Sequence, residues 1–185
     1  MDFLCHFAQD SPRFLPIQSI ILGLISNDYY LFILGCLLIG NGISNLILKS
    51  FFKSLYSFLK VKSLPILGIG DRPTQKYIPN TIGFCDNCSI DAKLYGMPSG
   101  HSQSAWFFTT FAILYLLDKN RSLGVYKKTT TIVLLLIIST FISYSRILNN
   151  CHTIEQVVFG GVIGVFLGTC GYIFTKYIIQ VYKLK

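Results

Sequence analysis

The sequence predicts an all-α, multi-pass membrane helical bundle of about four to five helices, with an active site at one membrane face. Three observations predict it. Hydrophobic residues make up 52% of the 185 residues and charged residues only 13%, against about 25% charged in an ordinary soluble domain. Four stretches free of Asp, Glu, Lys and Arg approach membrane-spanning length: 29–48, 94–117, 129–145 and 156–175. Histidines, arginines and a serine cluster at those ends of the stretches that fall on one side. The composition excludes a soluble globular domain, a disordered tail and a collagen-like fibre.

Each element follows from the same rules. Segment 14–27 is apolar but short and holds Pro16 and Gln18, which predicts a short interfacial or partly inserted helix. The start, MDFLCHFAQD, has acids and no basic region, unlike a cleaved signal peptide. The four charge-free stretches match the roughly 20 residues a helix needs to cross the hydrocarbon core. Helices are expected there because backbone groups in lipid must pair within their own segment. Residues 94–99 read as loop before the second span begins. Segment 53–93 is polar, with Pro65, Pro73 and Pro79, and is expected as a loop on the active-site side. Stretch 51–68 is amphipathic, which suits a strap along the interface and equally an ordinary loop. No repeat or linker divides the chain, so 1–185 reads as a single domain.

Alternation of the spans fixes the sides. Lys119, Arg121, Lys127, Lys128, Lys176, Lys183 and Lys185 fall on one side against a single acid, Asp118. That side reads as cytosolic. The net charge of +8 arises from residues flanking apolar runs rather than from one basic stripe. It therefore points to membrane lipids and not to nucleic acid. Of six cysteines, Cys36 and Cys170 lie inside apolar runs and read as small buried thiols. Cys85 and Cys88 form a Cys-x-x-Cys pair, better suited to a disulfide or free thiols than to zinc, which normally takes four ligands.

The opposite side gathers Arg72-Pro73, Pro98-Ser99-Gly100-His101, Ser145-Arg146 and His152. Arginine forks fit phosphate oxygens. A helix N-terminus offers free N–H groups to anions, and a glycine lets the backbone approach. Two histidines can supply a nucleophile and an acid near neutral pH. Taken singly, each residue has an ordinary structural explanation; together they fit phosphoryl transfer.

Pro98-Ser99-Gly100-His101, and Ser145-Arg146 followed after five residues by His152, resemble two of the three motifs of the phosphatidic acid phosphatase type 2 superfamily. The flanking residues Tyr95-Gly96-Met97, Ser102-Gln103, Trp106-Phe107-Phe108, Tyr144, Thr153 and Gln156-Val157 are similar to its dolichyl diphosphate phosphatase branch. That branch carries Gln where most of the superfamily carries Asp. The resemblance implies His152 as the nucleophile of a phosphohistidine intermediate and His101 as general acid. It implies Arg72, Arg146, Ser99 and the Gly100 backbone as the cradle for the phosphoryl oxygens. Gln156, four residues after His152, shares its helix face and would hold the ring, with the adjacent Glu155 as the weaker candidate. The first motif departs from the pattern: Pro65, not lysine, stands seven residues before Arg72. Lys49 is the preferred replacement, with Lys53 and Lys62 as alternatives. The implied substrate is a lipid diphosphate, dolichyl or polyprenyl, hydrolysed to the monophosphate without metal or cofactor on the lumenal face of the endoplasmic reticulum. A phosphatidate or sugar-phosphate phosphatase of the same superfamily, and a non-enzymatic membrane scaffold, are the alternatives. Nothing in the sequence sets an oligomeric state.

Overall fold

The computed structural model describes residues 2–59, 95–119 and 124–183, with side chains from Phe7 onward. These residues form five helices: α1 (Asp2–Ser26), α2 (Tyr29–Leu59), α3 (Gly100–Lys119), α4 (Val125–Leu148) and α5 (Ile154–Val181). No strand occurs among them. Three of the helices, α2, α4 and α5, are long and apolar enough to cross a membrane.

The segment expected as a short helix over 14–27 belongs to the 25-residue α1, which packs along α2. Pro12 cannot donate to the carbonyl of Ala8, and the Ser11 hydroxyl does so instead at 3.1 Å. The turn into α2 is built by Asn27, whose φ of 51° is left-handed, a conformation asparagine tolerates. Asp28 N–H closes back on Gly23 O at 2.9 Å. The Asp28 carboxylate then caps α2 by accepting from Tyr30 N–H at 2.8 Å.

Helix α2 is longer than expected. At about 1.5 Å per residue it exceeds a hydrocarbon core of about 30 Å by roughly ten residues. Those extra residues, Lys49 to Leu59, were expected partly as strap or loop and instead continue the helix. They carry Phe52, which packs with Tyr95 and Met97 into a small apolar cluster. That cluster seats the segment 95–99 on the end of the bundle.

Helix α3 is the centre, packed along α5 and touching α1, α2 and α4. It is less apolar than α2, α4 and α5 because it carries buried polar residues, and these find partners across the helix boundaries. Gln103 donates to Asn41 Oδ1 at 2.8 Å and accepts from Asn45 Nδ2 at 2.7 Å. Asn41 donates to Ser104 Oγ at 3.1 Å. Such cross-helix bonds spare polar groups an unsatisfied position in lipid. On α5, Gly160, Gly164 and Gly168 face α3 at fourfold spacing. A Cβ at these positions would stand 2.6 Å from Ser99 O, 2.3 Å from Gln103 O and 2.6 Å from Phe107 O. Small residues are therefore what allow α5 to lie against the α3 backbone. Cys36 and Cys170 are free thiols, but exposed on the helix surfaces rather than buried.

The end of the bundle away from His152 is tied by polar and aromatic contacts. Tyr172 donates to Asp118 at 2.7 Å, Lys176 pairs with the same carboxylate at 2.7 Å, and Tyr115 donates to Asp28. Asp28 thus holds a helix start and a tyrosine at once. Asp28→Ala is expected to cost about 1–2 kcal/mol, measured as a lower Tm of the detergent-solubilised protein.

Candidate active site

The segment 95–99 leads directly into α3, so Gly100 and His101 open a helix whose first N–H groups lack intrahelical partners. Ser99 N–H donates to Gln156 O at 3.1 Å, which fastens this segment to the first turn of α5. Asn45 of α2 donates to Pro98 O at 3.4 Å and stands beside Gly100, where a Cβ would lie 3.0 Å from its Oδ1. The Ser99 side chain is fully buried, and its hydroxyl has no hydrogen-bond partner among the described residues. An orphaned buried hydroxyl is costly; an oxyanion at the α3 N-terminus would satisfy it together with the free N–H groups.

Arg146 lies in the last turn of α4 and is only 5% exposed. Its carbonyl accepts from Cys151 N–H at 3.0 Å and His152 N–H at 3.2 Å. The link from α4 to α5 therefore folds back tightly and sets His152 against the end of α4. Cys151 is disulfide-bonded. Cys85 and Cys88 lie outside the described residues, as do Arg72 and Lys62.

His152 is 2% exposed. Its Nδ1 lies 3.1 Å from Gln156 Oε1. The same oxygen accepts from Thr153 N–H at 3.3 Å, while Gln156 N–H donates to Thr153 Oγ1 at 3.4 Å. Thr153 and Gln156 thus form a capping box at the start of α5. The box fixes the amide orientation, because a backbone N–H must meet the oxygen and not the NH2. Nδ1 of His152 is then the donor in this bond, which in the neutral ring leaves the lone pair on Nε2. Glu155, the weaker candidate for this role, is exposed and hydrogen-bonded to Thr153.

Gly96 lies against this arrangement. A Cβ there would fall 2.5 Å from Gln156 Nε2 and 2.6 Å from its Oε1. Gly96→Ala is expected to push the carboxamide off the His152 ring. Small misplacements of reacting groups cost up to about a hundredfold in rate. The check is kcat for phosphate release, with the size-exclusion profile confirming an intact fold.

His101 is half-buried, with Nε2 2.8 Å from the backbone oxygen of Gln9 on α1. A main-chain carbonyl leaves no signature in residue type, so α1 was not foreseen at the site. The Asn41–Asn45–Gln103 network was also missed, although two asparagines one turn apart in an apolar span are a signal. Lys49 is half-buried one turn beyond Asn45 on the same face of α2, whereas Lys53 is exposed. The structure thus brings together Ser99, Gly100, Arg146, His152 and Gln156 through the bonds above. His101 and Lys49 stand on the helices that flank them. Among the described residues, no three His, Cys, Asp or Glu side chains group as a metal site.

The fold is an all-helical membrane bundle with its candidate site at one end of the helices. The chain belongs to the PAP2 superfamily, whose family model matches residues 29–180. It is 35% identical to human dolichyldiphosphatase 1 over 88 residues, covering 44% of this chain and 37% of that protein. It is 35% identical to the mouse dolichyldiphosphatase 1 over 91 residues, 46% of this chain and 38% of the relative. The Dictyostelium discoideum dolichyldiphosphatase 1 is 36% identical over 91 residues, 48% and 39% of the two chains. The chain therefore spans well under half the length of these curated relatives. No solved structure matches it significantly.

Proposed function

We propose that this protein is a membrane phosphatase that hydrolyses a lipid diphosphate, dolichyl or another polyprenyl diphosphate, to the monophosphate. The observation that carries the reading is the single Gln156 oxygen that holds His152 Nδ1–H and so aims the Nε2 lone pair. Ser99 and the N-terminus of α3 lie one hydrogen bond away, through Ser99 N–H to Gln156 O.

In the proposed reaction the terminal phosphoryl group lies at the α3 N-terminus, against the Ser99 hydroxyl, the Gly100 backbone and Arg146, with Arg72 and Lys49 as further cationic partners. His152 Nε2 attacks the terminal phosphorus. The bond to the bridging oxygen breaks, and His101 protonates the departing lipid monophosphate. Water, deprotonated by His101, then cleaves the phosphohistidine to inorganic phosphate and restores His152. Charge on the three equatorial oxygens is met by fixed donors, which is where most of the rate enhancement of phosphoryl transfer arises. Gln156 gives the imidazolium less stabilisation than a carboxylate would, while keeping the tautomer. The curated relatives bear the name dolichyldiphosphatase, which supports the polyprenyl substrate. Lysines Lys119, Lys127, Lys128, Lys176 and Lys183 fall on the side expected to be cytosolic, which supports a site on the opposite, lumenal face, and the dolichyldiphosphatase relatives support the endoplasmic reticulum.

The test is phosphate release by the purified protein in detergent, with EDTA present, from dolichyl diphosphate, dolichyl monophosphate and phosphatidate. Diphosphate-selective release is expected. Release from phosphatidate alone would keep the chemistry and overturn the substrate. No release from any of the three by folded protein would favour the scaffold reading.

A further inference from the structure

We propose that the groove between α4 and α5 is the seat of the substrate's polyprenyl tail, and that Val162 and its neighbours on α5 discriminate between tail lengths. The inference rests on the lipid-diphosphate reading above.

The groove exists because of how α5 is held. Its glycine face, Gly160, Gly164 and Gly168, draws it onto α3. The opposite face is thereby left apart from α4, and Trp106 of α3 forms the floor between them. The resulting cavity is about 780 Å³, within the ~300–1,000 Å³ of ordinary ligand sites. Its walls are Tyr144 and Ile147 of α4 and Val158, Val162 and Phe166 of α5.

Three features commit it to a hydrocarbon chain anchored at the site. First, the polar groups of its floor are already used. Ser102 donates to Val157 O at 2.8 Å, Ser143 donates to Ser102 at 3.1 Å, and the Trp106 indole donates to Ser143 at 3.1 Å. The rest of the lining is mostly apolar, with Thr140, Tyr144, Thr169 and Cys170 as its other polar side chains, so a polar ligand would find few groups to bond. Second, its upper end is continuous with the candidate site. Ile147 follows Arg146, Val157 follows Gln156 and Ser102 follows His101 in the chain. A headgroup held at the α3 N-terminus would direct its tail into this groove. Third, the groove is open along its side, since Tyr144, Val158, Val162 and Phe166 are exposed on helices long and apolar enough to cross a membrane. It runs from Val157 to Cys170, about 20 Å at the helical rise of about 1.5 Å per residue. A tail longer than that can leave sideways into the bilayer, which a closed pocket would forbid.

The experiment is Val162→Trp, with Ile43→Trp on the exposed face of α2 as control, both checked for a monodisperse size-exclusion peak. Wild type and variants are assayed on a long-chain polyprenyl diphosphate and on isopentenyl diphosphate, which is too short to reach along the groove. The expected result is a KM raised about tenfold or more for the long chain, with kcat and the short-substrate rate unchanged, and no effect of Ile43→Trp. Equal loss on both substrates, or no change on either, would overturn the tail site. A second readout does not need turnover: a polyprenyl monophosphate carrying a diazirine in its tail is photolysed with the protein. Labelled peptides from α4 and α5 are expected, and labelling lost in Val162→Trp. Labelling confined to α1 and α2 would overturn the inference. If wild type hydrolysed no diphosphate while the groove was still labelled, the phosphatase reading would fall and the tail site would stand.

Discussion

His152→Ala is expected to lower phosphate release by at least about 10⁴-fold, the scale on which loss of a nucleophile acts in covalent catalysis. The substitution removes the Nε2 lone pair that Gln156 aims through Nδ1. It also removes the buried hydrogen bond to Gln156, worth about 1 kcal/mol, and the fold should survive with a modest fall in Tm. Two measurements separate chemistry from collapse. Brief incubation with substrate labelled at the terminal phosphate should leave acid-labile radioactivity on wild-type protein and none on His152→Ala. The same incubation with His101→Ala should leave labelled protein that forms slowly and persists, because the group proposed to protonate the leaving oxygen and activate water is gone. Label on His152→Ala equal to wild type would assign the nucleophile elsewhere.

The second large effect is on stability. Gly164→Leu is expected to prevent a well-packed bundle from forming, at a cost above about 3 kcal/mol. Its Cβ alone would stand 2.3 Å from Gln103 O and 3.0 Å from Phe107 N, both backbone atoms that no rotamer change can move. Displacing α5 there also strains the Gln103–Asn41–Asn45 network, whose members would face lipid unsatisfied. The readouts are yield of monodisperse protein and Tm in detergent. Val162→Leu, two residues earlier on the exposed face, should be neutral by the same measures. If Gly164→Leu matched it, the helices would not be packed as closely as described.

The helices were legible because charge-free runs and membrane thickness leave few alternatives. Their ends were less so. Lys49 ends the charge-free run, but a charge only marks where a helix leaves lipid, not where the helix stops; Phe52 packing on Tyr95 and Met97 carries α2 on to Leu59. Segment 14–27 looked short because Asp10 and Arg13 interrupt the apolar pattern, yet packing along α2 lets the helix begin at Asp2. At the site, side-chain motifs announced Ser99, His101, Arg146, His152 and Gln156. The contributions of Gln9 and Gly96 could not be read the same way. One acts through a carbonyl, the other through the absence of a side chain, and both depend on which helix lies opposite. Arg72 and the choice of Lys62 fall outside the described residues, and Lys49 stands ahead of Lys53 by its half-burial next to the Asn45 face.

The Gln156 oxygen that receives both Thr153 N–H and His152 Nδ1–H makes one atom answer for a helix end and for a ring. Fraying of the first turn of α5 would therefore release His152 before any global unfolding. Heat inactivation should then be reversible over a range in which the rest of the bundle is intact, and the activity itself becomes a thermometer for a single helical turn. It also suggests why an amide can stand where an acid is common. Glutamine at the third position of a helix reaches back to its own cap, and an aspartate, one methylene shorter, reaches less far. The chain gives up a negative charge beside the imidazole and gains a stiffer hinge beneath it.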